Sequence, residues 1–220
     1  MRTIFIIGVV LLLLSAYPLY LMAAEMVIST RAYQRYEIEQ HSGANYDYKS
    51  AEFHGHRAIF SGGTSVNGKP AISTTVDGKD YSLSSPVELD DRGGFHGWAA
   101  MLTLRDRQNN EERLAIVQRV AGGSYPDDTR YRILFIQPNG TVTEEWFSYP
   151  ERHEPVYRAM LAQYVHPEPL GFRSQVMSVW PTIFYPMLYP WLTGLVGFIL
   201  SVVGGIVLLK RRRRSKVVLS

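Results

Sequence analysis

The sequence predicts a mainly β protein: a small antiparallel β-sandwich or partly open barrel with one C-terminal helix, held between an N-terminal and a C-terminal transmembrane helix. Three observations predict it. Apolar runs at Ile4–Ala24 and Pro190–Leu209 flank the chain. Between Tyr46 and Phe147, Asn-Gly and Asp-Gly pairs separate stretches rich in Val, Ile, Thr, Tyr and Phe, the punctuation of β-hairpins. All 20 acidic residues and 16 of the 23 Lys and Arg lie between Glu25 and Arg173, a net of −4, while the remaining basic residues are Arg2 and six in the tail. The net charge of +3 is therefore topological, and a nucleic-acid partner is excluded because the part large enough to fold is mildly acidic.

Residues 1–3 read as a short cytoplasmic start and 4–24 as a transmembrane anchor. The apolar run exceeds the roughly 7–15 residues of a signal-peptide core, and Met22 stands where cleavage after Ala24 would want a small residue, so retention is expected. Residues 25–45 read as a helical stalk, with Arg35 and Glu39 an i,i+4 pair of opposite charge and Ser42-Gly43-Ala44-Asn45 as its stop.

Residues 46–165 form the expected extracytoplasmic β domain, with six to eight strands in meander order. If Asp77-Gly78 is a two-residue turn, Thr74 faces Tyr81 and Ile72 faces Leu83, placing Val76 and these four on one side. A second hairpin sets Trp98, Ala100, Leu102 and Leu104 against Leu114, Ile116 and Val120 across a charged loop from Arg105 to Arg113. A third joins Tyr131–Ile136 to Thr141–Phe147, where Pro138-Asn139-Gly140 suits a type I turn with a bulge and leaves the register open. Glu154-Pro155 opens a short helix with Pro at its first position and Tyr157, Met160, Leu161 and Tyr164 at helical spacing.

Residues 166–189 read as a Pro-rich interfacial linker, 190–209 as the second transmembrane helix and 210–220 as a basic cytoplasmic tail. Twenty residues at about 1.5 Å each cover the roughly 30 Å hydrocarbon layer. Trp180, Tyr185, Tyr189 and Trp191 suit the outer interface, and Lys210, Arg211, Arg212, Arg213 and Arg214 the inner one, where the positive-inside bias holds them. The expected location is a bacterial inner membrane with both termini cytoplasmic and the central domain periplasmic; a eukaryotic lumen is the alternative. Gly197, Ser201 and Gly205 recur every four residues, a small-residue stripe that lets another helix approach: the first anchor, a second copy, or another membrane protein.

The absence of cysteine excludes thiol catalysis, cysteine-ligated zinc and iron–sulfur clusters. His54-Gly55-His56, if both lie on a strand, aims two imidazoles at one face, with His96 among the possible third ligands; the spacing signature of a metal site is missing. Asp90-Asp91 and Asp127-Asp128 read as turn residues, and Gly122-Gly123-Ser124 lacks the pattern of a nucleophile elbow. No catalytic residue, cofactor or enzymatic role is expected. The leading expectation is a non-enzymatic accessory or assembly subunit of a membrane complex, with lipid and another membrane protein or a second copy as partners. A membrane-anchored sensor or regulator comes second, and a metal or haem carrier third.

Overall fold

The computed structural model describes residues 2–41, 48–66, 69–83, 88–89, 99–122, 129–166, 170–174 and 187–217. The chain divides into two compact units, one of Ile28–Arg173 and one of Met1–Val27 with Ser174–Ser220.

Helix α1 (Arg2–Arg35) is continuous through Pro18. The expected stalk is helical only to Arg35, because Tyr36–Gln40 is strand β1, antiparallel to β7 (Ala99–Asp106) from Tyr36↔Asp106 to Gln40↔Leu102. Tyr36-Glu-Ile-Glu-Gln alternates, with Tyr36 buried and Ile38 half-buried, and β7 supplies the backbone partners that an exposed helical turn would lack. Arg35 consequently meets Asp106 instead of Glu39.

The two sheets are almost wholly antiparallel. The larger runs β1-β7-β8-β9-β10, with β8 at Glu111–Gly122, β9 at Arg130–Ile136 and β10 at Val142–Ser148. The two-residue β6 (Glu88–Leu89) adds to β8 in parallel. The smaller runs β2-β3-β4-β5, over Tyr48–Phe53, His56–Val66, Lys69–Val76 and Lys79–Asp80. The mainly β expectation is met in this form.

Local sequence explains the turns. Asp77 (φ +50°) and Gly78 (φ +78°) both occupy the left-handed region that a two-residue hairpin needs, and the register Val76↔Lys79 continues to a hydrogen bond from Tyr81 N–H to Thr74 C=O, as the sequence predicts. Gly140 (φ +80°) supplies the bulge after Pro138-Asn139 and sets Val142↔Ile136. The middle hairpin departs from expectation by one residue: Leu102 pairs with Ala115 and Leu104 with Arg113, not with the Leu114/Ile116 set. Its turn is only Arg107–Asn110, since Arg105 and Glu112 are already a cross-strand pair with an ion contact of 2.9 Å.

That shift is invisible in the pattern because β7, β8 and β9 are buried on both faces, and a strand apolar on both sides carries no parity. One face joins Ala100, Leu102, Leu104, Ala115, Val117, Tyr131, Ile133 and Phe135 to Ala32 and Tyr36, to the short α2 (Tyr157–Ala162) and to Leu170 and Phe172. The other joins Ala99, Met101, Leu114, Ile116, Leu134 and Ile136 to Ala51, Phe53, Ala58, Phe60 and Val76 of the smaller sheet. Helix α2 begins at Tyr157 and not at Pro155, and buries Met160 and Leu161.

In the other unit α3 runs Thr193–Val217, preceded by a helical turn over Met187–Leu192 in which Tyr189 is extended (φ −131°, ψ 129°). The regular helix thus starts three residues after the expected Pro190 and carries the basic cluster as a helical continuation, which suits Lys and Arg near a helix C-terminus. Arg2–Arg35 and Leu188–Arg211 are each long and apolar enough to cross a membrane.

The core makes a truncation test. Residues 28–173 expressed alone should give a sheet-dominated far-UV circular dichroism spectrum and a cooperative melt. Residues 42–165 lack β1 and the buried Tyr36, Leu170 and Phe172; at about 1.5–3 kcal/mol per large buried side chain, that fragment should melt far lower or not fold.

Candidate functional site

The closest-built feature among the described residues is the seam between α1 and α3, whose participants all belong to the smaller unit. A Cβ placed on Gly197 would stand 2.7 Å from the Leu12 backbone nitrogen, and one on Gly8 would stand 2.6 Å from Ser201 N and 2.8 Å from Ser201 Oγ. At Gly204 the obstacle is Phe5 Cβ at 2.9 Å, and at Gly194 it is Leu19 Cδ1 at 3.0 Å. No side chain fits at the first three positions without moving backbone, so the helices approach as closely as small-residue packing allows. Ser15 Oγ and Thr193 Oγ1 share a hydrogen bond of 2.8 Å across the seam, and Tyr189 OH donates to Leu14 C=O at 2.9 Å.

Two of the three stripe residues named from sequence, Gly197 and Ser201, lie in this seam. Gly205 is at its margin, where a Cβ would meet only the Phe5 ring at 3.6 Å. The spacing that matters is Gly194, Gly197, Ser201, Gly204, alternating three and four, which follows a 3.6-residue helix better than a strict repeat of four. Gly8 was missed, although it is the only glycine in the first apolar run. Among the described residues, the stripe's neighbour is the chain's own α1, the first of the occupants that its spacing allows.

Of the interfacial residues, Tyr189 and Trp191 are exposed, Lys210 and Arg211 are exposed on α3, and Arg212, Arg213 and Arg214 continue that helix; Trp180 and Tyr185 lie outside the described residues. The faces of α1 and α3 away from the seam expose Ile6, Leu13, Leu14, Tyr17, Leu195, Phe198, Val202, Ile206 and Leu209.

The histidine pair is corrected. His54 (φ +50°) and Gly55 (φ +84°) are the turn of the β2–β3 hairpin, with Phe53↔His56 the closing pair, so the imidazoles do not share a strand face. His56 Nδ1 lies 2.7 Å from Asp77 Oδ2, and its ring occupies the space a Cβ on Gly140 would need. Asp77 also accepts from Arg57 N–H at 2.8 Å, and that backbone bond, then His56, holds its carboxyl below the usual range. His54 Nε2 is 3.4 Å from Glu112 Oε2. These residues tie neighbouring turns together. His96 lies outside the described residues, and among the described residues no three His, Asp or Glu gather as metal ligands.

Two polar groups were not foreseen. On one face of the larger sheet, buried Gln118 donates to Thr74 Oγ1 (2.8 Å) and accepts from Arg132 Nη1 (3.2 Å), while Arg132 Nε donates to Glu144 (2.8 Å). On the other, fully buried Tyr131 stacks on Phe147 and its hydroxyl lies 2.7 Å from His166 Nδ1. Burial, then Arg119 and Arg152, pushes His166 down to about 4, and burial pushes the Tyr131 phenol up. A neutral imidazole accepting from a neutral phenol is a structural pair, since neither group changes charge near pH 7.

No family model, curated protein or solved structure matches this chain.

Two outcomes follow from the geometry. Gly197→Leu should destabilise the detergent-solubilised protein by about 1–3 kcal/mol or more, whereas Gly205→Ala should stay within about 0.5 kcal/mol; thermal unfolding monitored at 222 nm distinguishes them. Because His166 is harder to protonate folded than unfolded, the unfolded chain binds more protons between about pH 6.5 and 4. Stability should therefore fall as pH drops through that window, and His166→Gln should flatten the fall; denaturant titrations from pH 4 to 7 would show an unchanged slope if His166 were not responsible.

Proposed function

We propose that this is a two-pass integral membrane protein with a β-sandwich domain on the extracytoplasmic, periplasmic side of a bacterial inner membrane, acting as a non-enzymatic accessory or assembly subunit of a membrane complex. The observation that carries the two-pass reading is the α1–α3 seam. A cleaved signal peptide would leave Gly194, Gly197, Ser201 and Gly204 facing nothing, whereas close contact from Phe5 to Leu19 suits an α1 that stays. The apolar outer faces of both helices suit lipid, and the Lys210–Arg214 cluster suits the cytoplasmic side.

With the seam filled internally, partner contact falls to the β domain. Among the described residues its β10 is a sheet edge, and Trp146 on that strand is half exposed, braced by Glu144 accepting from the indole N–H at 2.6 Å. An exposed tryptophan held in place in this way is a residue type enriched in protein interfaces and their hot spots.

Gentle extraction of the tagged full chain followed by mass spectrometry tests both parts. The expected result is an intact mass that includes the α1 residues, with a stoichiometric membrane partner that Trp146→Ala weakens. A mass lacking residues 1–24 would overturn the two-pass reading. Recovery without any partner would overturn the accessory role and favour the self-contained sensor.

A further inference from the structure

We propose that the groove between the last turn of α1 and the β7–β8 turn binds a phosphate-type oxyanion, supplied by a lipid head group or as free phosphate. The groove is open, about 440 Å³, and is lined by Arg31, Gln34, Arg35, Arg107 and Gln108. Among the described residues every lining side chain carries N–H donors and no carboxylate lines the groove. That composition matches the acceptor-only surface of a phosphate, and guanidinium forks fit its oxygens two at a time.

The walls are fixed before any ligand arrives. Asp106, 3 % exposed, accepts from Arg35 Nε at 3.2 Å and Nη2 at 2.8 Å, from Gln108 N–H at 2.9 Å and from Asn109 Nδ2 at 3.1 Å. Arg107 N–H donates to Arg35 C=O at 2.9 Å, which pins the turn to the end of the helix. Arg35 Nη1 takes no part in the Asp106 pair, so one edge of that guanidinium remains available to the groove. Among the described residues the Arg107 side chain meets Glu37, at 3.3 Å between half-exposed side chains, a contact that solvent screens strongly.

Arg31 and Arg35 are like charges one helical turn apart, an arrangement that destabilises a helix unless an anion lies between them. Arg107 adds a third cation opposite, so the fold concentrates positive charge where its own pairing with Asp106 and Glu37 does not use it up. Arg31 follows Ala24 by seven residues, about 10 Å of helix beyond the apolar run. An arginine side chain from that height reaches the head-group layer of a bilayer that ends the hydrocarbon near Ala24. The inference does not depend on the accessory-subunit role.

The test uses the full chain, delipidated in a neutral detergent, and a variant with Arg31→Gln and Arg107→Gln; Arg35 is kept because it holds Asp106. Inorganic phosphate is titrated by calorimetry, and lipid retention from mixed phosphatidylglycerol and phosphatidylcholine nanodiscs is counted by native mass spectrometry. Saturable phosphate binding that weakens about tenfold or more in the variant supports a free-phosphate site. Retention of phosphatidylglycerol that the variant loses, without binding of inorganic phosphate, supports a head-group site. No saturable binding of either probe, or binding that the variant leaves unchanged while its melt matches the parent, overturns the proposal.

Discussion

A buried carboxylate cannot stand alone, and Asp106 solves that requirement by collecting donors from two chain segments beside the start of a β ladder. Arg35 ends α1, Gln108 and Asn109 belong to the β7–β8 turn, and the backbone at Tyr36↔Asp106 begins the β1–β7 ladder. One acidic side chain thereby ties the end of the helix to the β7–β8 turn, at the point where the β1–β7 ladder begins. The Arg35 hydrogen bonds are the main reason its carboxyl lies below the usual range, so the pair is charged throughout neutral pH. Had Arg35 paired with Glu39 along a continuing helix, β7 would have lost its outer neighbour and Asp106 its counter-charge.

The domain's second constraint is burial on both sides of β7, β8 and β9. Antiparallel strands with one wet face show strict alternation, and the Asp77-Gly78 hairpin of the smaller sheet was legible for that reason: Thr74 and Val76 face inward, while the turn chemistry fixes the register. The central strands present apolar side chains to two clusters at once, so alternation carries no information there and only the turn length could have chosen between registers. The four-residue turn was hidden among charged residues, because Arg105 and Glu112 read equally well as loop or as a cross-strand pair. The Asp77-Gly78 turn was thus readable from its residue types, and the hairpin flanked by the Arg105–Glu112 pair was not.

The helix seam shows the same limit at a different scale. A small-residue stripe announces close packing without naming its partner, and the repeat of four selected Gly205 in place of Gly204 because sequence spacing ignores the fractional turn. Gly8 carried the missing half of the signal, a lone small residue set in a run of Ile, Val and Leu. The histidine motif failed for a related reason. Two His flanking a Gly look like alternate strand positions, yet His-Gly can itself fill a two-residue turn when the first residue tolerates the left-handed region.

Charge location unites these observations. Overall composition suggests a basic protein, but the tail cluster and the folded domain use positive charge differently. In the tail, Lys210–Arg214 lie on one helical stretch, five consecutive basic residues whose charge acts together. Within the domain, most arginines are assigned: Arg132 to Gln118 and Glu144, Arg152 to Gly171 and Tyr149 carbonyls, Arg158 to Glu145. Against that background Arg31, Arg35 and Arg107 form a group whose two acidic partners sit behind or beside the groove and not inside it. A guanidinium held from behind keeps its outward donors oriented, so an incoming anion meets prearranged hydrogen bonds instead of having to order flexible side chains. Asp106 is therefore both the organiser of the fold at this corner and the reason its positive surface has a defined shape.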